Sequence, residues 1–123
     1  MKIEEFTQEG KNFVYIDLAN LKSVEQFHEL GGQIKSVIRK YPENSVYTIT
    51  NIDNMRLDSE AKNIVAEYMS ENKPFVRGGV FIGIDGVKKV MATEIFKMIG
   101  RKNMSFAFTK DQAIKWLLQQ GAE

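Results

Sequence analysis

A chain of 123 residues, 43% of them hydrophobic, has the length of one domain and enough apolar side chains to bury a core. Residues 1–123 are therefore expected to form a single domain, and wholesale disorder is excluded. The absence of cysteine excludes disulfides, thiolate metal sites and a cysteine nucleophile, and it fits a reducing compartment. Lys and Arg total 17 against 16 Asp and Glu, a net charge of +1, so no overall field steers the protein toward nucleic acid or anionic lipid.

The first residues carry two acids by position 5 and no apolar run behind them, which argues against a secretory signal. Apolar stretches such as Val80-Phe81-Ile82 fall far short of the ~20 residues that span a bilayer, so a cytoplasmic location is expected. Residues 2 to 17 read as a hairpin, with Glu9-Gly10-Lys11 as the turn and the β-branched and aromatic run Phe13 to Ile16 following it. From Val24 to Tyr41 the apolar positions repeat at three and four residues, a helix with a Ser23/Gln26 capping box that stops before Pro42. Gly31-Gly32 inside it costs about 1 kcal/mol per glycine relative to alanine, which predicts a close approach to a strand or another backbone, or a break.

Val46 to Thr50 reads as a strand, and Leu57, Ala61, Ile64, Val65, Tyr68 and Met69 as the stripe of a second helix capped by Asp58 or Ser59. Val80 to Ile84 has no polar face, as in a strand covered on both sides. Asp85 then caps a third helix, whose Val87, Val90, Met91, Ile95, Met98 and Ile99 are predicted to face the core, with Gly100 as a left-handed C-terminal cap. Met104 to Phe108 gives a last strand, and Thr109 caps a last helix. Strand–helix alternation after a hairpin implies an α/β domain with a mixed β-sheet and about four helices.

Few groups suggest chemistry. His28, the single histidine, falls beside the first helical stripe, where packing or solvation is its plain role. The glycines at 78–79 and 83–86 lack the Gly-Lys-Ser/Thr of a phosphate loop. Asp17, Asp53, Asp58 and Asp85 all follow predicted strands, where α/β proteins bind ligands, so a shared cation or acid–base site competes there with turn and cap roles. Lys88, Lys89, Lys97, Arg101 and Lys102 oppose Glu94 alone in the stretch 88–102, a solvated face or one for acidic partners, without a nucleic-acid signature. Met69, Met91 and Met98 fall on core stripes.

The order of elements resembles the STAS domain, the sulfate transporter and anti-sigma factor antagonist fold. The resemblance rests on Val46 to Glu60, which is similar to that family's strand, loop and Asp-Ser-Ser or Asp-Ser-Thr helix opening. It rests also on Gly79 to Ile84 with Val87 to Val90, and on Phe106 to Ile114. It implies a bacterial-type, anti-sigma factor antagonist-like regulator, with Asp53, Asn54, Arg56, Asp58, Ser59 and Glu60 as the contact surface for a protein partner. In regulatory members the phosphorylated serine or threonine stands where this chain has Glu60. Ser59 matches only the preceding position, Ala61 replaces the usual glycine, and the link from Lys97 to Asn103 is longer. A first-turn glutamate is favoured by the helix dipole and would give the surface a fixed negative charge.

A diverged branch of the fold resembles the lipid-carrying CRAL-TRIO domain. That likeness implies a small apolar ligand lined by Tyr47, Phe75, Phe81, Met91, Phe96 and Met98. Taken together, a non-catalytic interaction module is expected, with an apolar-ligand or lipid-binding protein of the same fold as the alternative. No cofactor, metal, nucleic acid or transmembrane segment is expected, and a homodimer is compatible with either reading.

Overall fold

The computed structural model describes residues 3–100 and 103–121; the first residue of the expected hairpin, at position 2, and Arg101 and Lys102 lie outside them. The chain runs β1 (Ile3–Gln8), β2 (Lys11–Asp17), α1 (Val24–Ile38), β3 (Val46–Asn51), α2 (Ser59–Asn72), β4 (Val76–Ile82), α3 (Gly86–Ile99), β5 (Met104–Phe106) and α4 (Lys110–Gly121). It is an α/β fold whose five strands form one mixed sheet in the order β1-β2-β3-β4-β5. β1 pairs antiparallel with β2, and every later pairing is parallel. Glu9 and Gly10 make the tight hairpin turn at φ 51° and 76°, the mirror-image geometry that matches strand twist.

Because each strand is laid down beside the last, crossovers of one hand put their helices on one face of the sheet. Phe27 and Leu30 of α1, Ala61 and Ile64 of α2, and Ala92 and Phe96 of α3 accordingly share a core with Val14, Ile16 and Phe81. On the other face Ala113, Ile114 and Leu117 of α4 pack with Phe13, Tyr47, Ile49, Val80 and Ile82. β4, with neighbours on both edges and helices on both faces, is the buried inner strand its composition implies.

Four elements depart from the sequence expectation, one of them β5, which stops at Phe106 rather than Phe108 and leaves Phe108 88% exposed. β4 runs from Val76 to Ile82 rather than from Val80 to Ile84, ending where Gly83 turns to φ 73°. Its pairing shifts so that Val46 faces Val76 while Tyr47 faces Gly78, and the extra residue, Arg77, interrupts the alternation. Helix α1 ends at Ile38, and Tyr41 instead donates its hydroxyl to Glu5 Oε1 at 2.6 Å. In α3 the buried residues are Ala92, Ile95 and Phe96, while Val87, Val90 and Met98 are 78%, 61% and 59% exposed. The helix is apolar around most of its girth, and its orientation follows the Phe96 ring, which sits 5.4 Å from Phe81 and 5.5 Å from Phe106.

Candidate functional site

The carboxyl ends of β2, β3 and β4 open into three adjacent loops, and the loop from β3 to α2 lies between the other two. Its entry is fixed by the sheet: the Ile52 amide donates to the Ile82 carbonyl at 3.0 Å, and Leu18 donates to the Asn51 carbonyl at 2.9 Å. The Asn51 side chain accepts from the Asp53 amide. A Cβ on Gly83 would meet that Asn51 Oδ1 at 2.6 Å, and Gly83 has φ 73°, so glycine is required where the third loop passes.

Across the gap, the β2–α1 loop is stitched to the same segment. The Asn20 amide donates to the Asp53 carbonyl at 2.9 Å and the Arg56 amide to the Leu21 carbonyl at 2.8 Å. Asn54 Nδ2 donates to Asn20 Oδ1 at 2.8 Å, and Lys22 Nζ donates to Asn54 Oδ1 at 3.3 Å. Asn20 and Asn54 both hold positive φ, 65° and 54°, a conformation asparagine tolerates better than most residues. Asn20 and Lys22 were not among the expected site residues; their only local signal is an asparagine placed at a turn.

Arg56 closes the arrangement. Its Nε donates to Asp58 Oδ2 and its Nη2 to Glu60 Oε1, each at 2.8 Å, and its Nη1 reaches the Lys22 carbonyl at 3.2 Å. Asp58 also caps α2 by accepting from the Ala61 amide at 3.0 Å. That backbone bond first, and Arg56 second, hold the Asp58 carboxyl below its usual range, while Asp58 and then Glu60 raise the Arg56 guanidinium above its own. The six expected surface residues are thus brought together: Asp53, Asn54 and Arg56 on the loop, Asp58 as cap, Ser59 and Glu60 in the first turn of α2. Glu60 is not a free charge, since one cation lies between it and Asp58 and leaves a single net negative charge.

The strand-end aspartates do not converge. Asp17 accepts from the Ala19 amide at 3.0 Å, Asp58 caps α2, and Asp85 caps α3 through the Lys88 amide at 2.9 Å. The bond from Lys88 holds the Asp85 carboxyl below its usual range. Among the described residues no three acidic or histidine side chains gather to hold a metal, and none of the helices among them is long and apolar enough to cross a membrane. His28 Nδ1 lies 3.0 Å from the Tyr68 hydroxyl, a bridge between α1 and α2. Lys88 pairs with Asp85 and Glu94 with Lys62, so part of the basic stretch is engaged locally.

Beneath the loop, between the sheet and helices α1 and α2, is a cavity of about 90 Å³. Of the six residues expected to line an apolar site, only Phe81 does so. Tyr47 projects from the opposite face of the sheet, Phe75 lies under the Arg39 guanidinium, and Phe96 is engaged with Phe81 and Phe106. Met91 is half-buried on α3 and Met98 exposed. The lining instead includes Thr48, Thr50, Tyr68 and the loop residues Ile52, Met55 and Leu57. Contrary to the sequence expectation, Gly31 neither breaks α1 nor meets a strand or backbone; it is approached by a side chain, since a Cβ there would lie 2.6 Å from the Tyr68 ring.

No protein-family model matches this chain, and no curated protein matches it.

Proposed function

We propose that this domain is a non-catalytic regulatory module of STAS-like kind that presents the β3–α2 loop and the start of α2 to a protein partner. The observation that carries the reading is Arg56, which fixes the Asp58 and Glu60 carboxylates on a loop already hydrogen-bonded to the β2–α1 loop and to the end of β4, while leaving the two carboxylates 53% and 62% exposed. A preformed charged surface costs little ordering entropy on association, and complementary charge speeds encounter and selects partners. Asp58 and Asp85, held below the usual carboxylate range, are weak bases near neutral pH, which suits presentation better than proton transfer.

Where the family resemblance implies a phosphorylated residue, this chain carries Glu60 in an ion pair with Arg56. The surface on this reading is charged without a kinase. A cytoplasmic, bacterial-type regulatory setting accords with the lack of cysteine, and self-association remains compatible with it.

The test is affinity capture with the wild-type chain and with Asp58→Ala/Glu60→Lys, after matching their folded fractions by circular dichroism. Loss of discrete partners with the double variant is expected. Retention of every partner contradicts the surface.

A further inference from the structure

The residues of the β3–α2 loop divide by direction. Ile52, Met55 and Leu57 line the cavity, while Asp53 and Asn54 are exposed and Arg56 reaches the outward carboxylates of Asp58 and Glu60. One short segment is therefore both the wall of a hollow and the candidate contact surface. We propose that the hollow is a binding site for a small, uncharged, mostly apolar molecule, and that its occupancy is transmitted through this loop to the contact surface.

The chemistry of the occupant follows from the wall. None of the lining residues is Asp, Glu, Lys, Arg or His, so an ionic group would be buried without a counter-charge, at prohibitive cost. On the sheet side the polar lining is the hydroxyls of Thr48 and Thr50, enough to orient one hydroxyl or carbonyl; on α2 the Asn72 Oδ1 already accepts from Arg39 at 2.9 Å and the Tyr68 hydroxyl is engaged with His28. Size sets the upper limit. A cavity of about 90 Å³ is smaller than the ~150 Å³ engineered cavity that admits benzene and well below the ~300–1,000 Å³ of pockets for drug-sized ligands. A short-chain alcohol or a single ring is thus the scale of the occupant, rather than an intact lipid.

An occupant at this limit must displace part of the wall. Met55, Met69 and Met104 supply three unbranched, adaptable side chains, and Met55 belongs to the loop. A ligand shifts a conformational equilibrium only by its differential affinity for the two states. Here that difference arises because the enlarged hollow requires Met55 and Leu57 to move, and Arg56 lies between them. The binding site stands on the cavity alone; its regulatory meaning rests on the loop being the contact surface.

The experiment is a methyl and amide NMR titration of the full chain with benzene, with n-butanol, and with n-butylammonium as the charged control. Saturable shifts of the Ile52, Met55 and Leu57 methyls with benzene and butanol are expected, together with amide shifts over residues 53–60 and no saturable response to butylammonium. Val65→Phe, which fills the lining, is expected to abolish the benzene response. Should it not fold, Thr48→Val/Thr50→Val is expected to keep benzene binding and weaken butanol roughly fivefold, the scale of one lost hydrogen bond. No saturable methyl shift, an equal response to butylammonium, or a full benzene response in folded Val65→Phe overturns the site. Saturating methyls with unmoved amides at 53–60 overturn the coupling. Partner capture that ignores Asp58→Ala/Glu60→Lys would refute the contact surface while leaving these shifts as they are, so the two failures are separable.

Discussion

On the face of the sheet that carries α4, Phe13, Tyr47, Ile49, Ala113 and Leu117 are each no more than 1% exposed and fill the space between strand and helix. On the face that carries α1, α2 and α3, the packing leaves about 90 Å³ open. The difference traces to what each face receives from the strands. The α4 face sets Tyr47 and Leu117 against Gly78, large against small. The other receives small residues from the strands, Thr48 and Thr50 from β3 and Gly79 from β4, while Gly31 on α1 admits the Tyr68 ring. One sheet thus supports a filled face that holds the fold and a hollow face that adjoins the hydrogen-bonded β3–α2 loop.

The largest expected effect on this contrast comes from Gly79. A Cβ there would lie 2.7 Å from both Met104 Cε and Thr48 Oγ1, and the threonine belongs to the neighbouring strand. Gly79→Val is expected to destabilise by roughly 3 kcal/mol, the upper range for overpacking, read from the urea midpoint. A loss near zero would mean that Met104 swings into the hollow and absorbs the change.

Next in size is the glycine pair of α1. Nothing lies within 4 Å of a Cβ on Gly32, whereas one on Gly31 meets the Tyr68 ring at 2.6 Å. Gly32→Ala is expected to stabilise by about 1 kcal/mol through helix propensity. Gly31→Ala should destabilise, because Tyr68 must leave His28. Equal stabilisation by both would show that Tyr68 is not a fixed part of the wall.

The filled face predicts a smaller effect of opposite sign. The Tyr47 hydroxyl is buried without a partner, so Tyr47→Phe removes a desolvated polar group and is expected to be neutral or to stabilise by up to about 1 kcal/mol. Thermal unfolding decides it, and a clear loss of stability would mean that the hydroxyl has a bonding role.

Smallest is a pH effect at the opposite end of the hollow face. The bond to Glu5 pushes the Tyr41 hydroxyl up to about 12 from an ordinary 10. The folded state therefore keeps a proton that the unfolded chain releases first. The contribution is complete below pH 10 and declines as pH rises toward 12. Tyr41→Phe is expected to flatten that part of the stability profile; an unchanged slope would place the effect elsewhere.

The hairpin, the inner strand and the caps at Asp85 and Gly100 were legible in the sequence because each depends on neighbours a few residues away. The buried side of α3 was not, since apolar residues surround most of that helix and only the meeting of Phe96 with Phe81 and Phe106 selects one orientation. The start of β4 was hidden by the Arg77 bulge and two glycines. At the candidate site the six loop and helix-start residues could be named, but what fixes them could not. Asn20 and Asn54 are 34 positions apart, and Glu60 meets its cation only once Arg56 is turned by the loop. A cavity has no residue pattern of its own, and its lining was expected on the wrong side of the sheet for Tyr47.

The most direct test of the contact surface is site-specific photo-crosslinking from two exposed positions, Ser59 at the start of α2 and Gln119 on α4. Cells expressing each labelled chain are compared, with Glu60→Lys as a background for both. A discrete crosslinked species from position 59, absent from position 119 and lost with Glu60→Lys, is the expected result. Crosslinks of equal yield from both positions, or a species at 59 that survives Glu60→Lys, would contradict a partner bound at the Arg56-held loop.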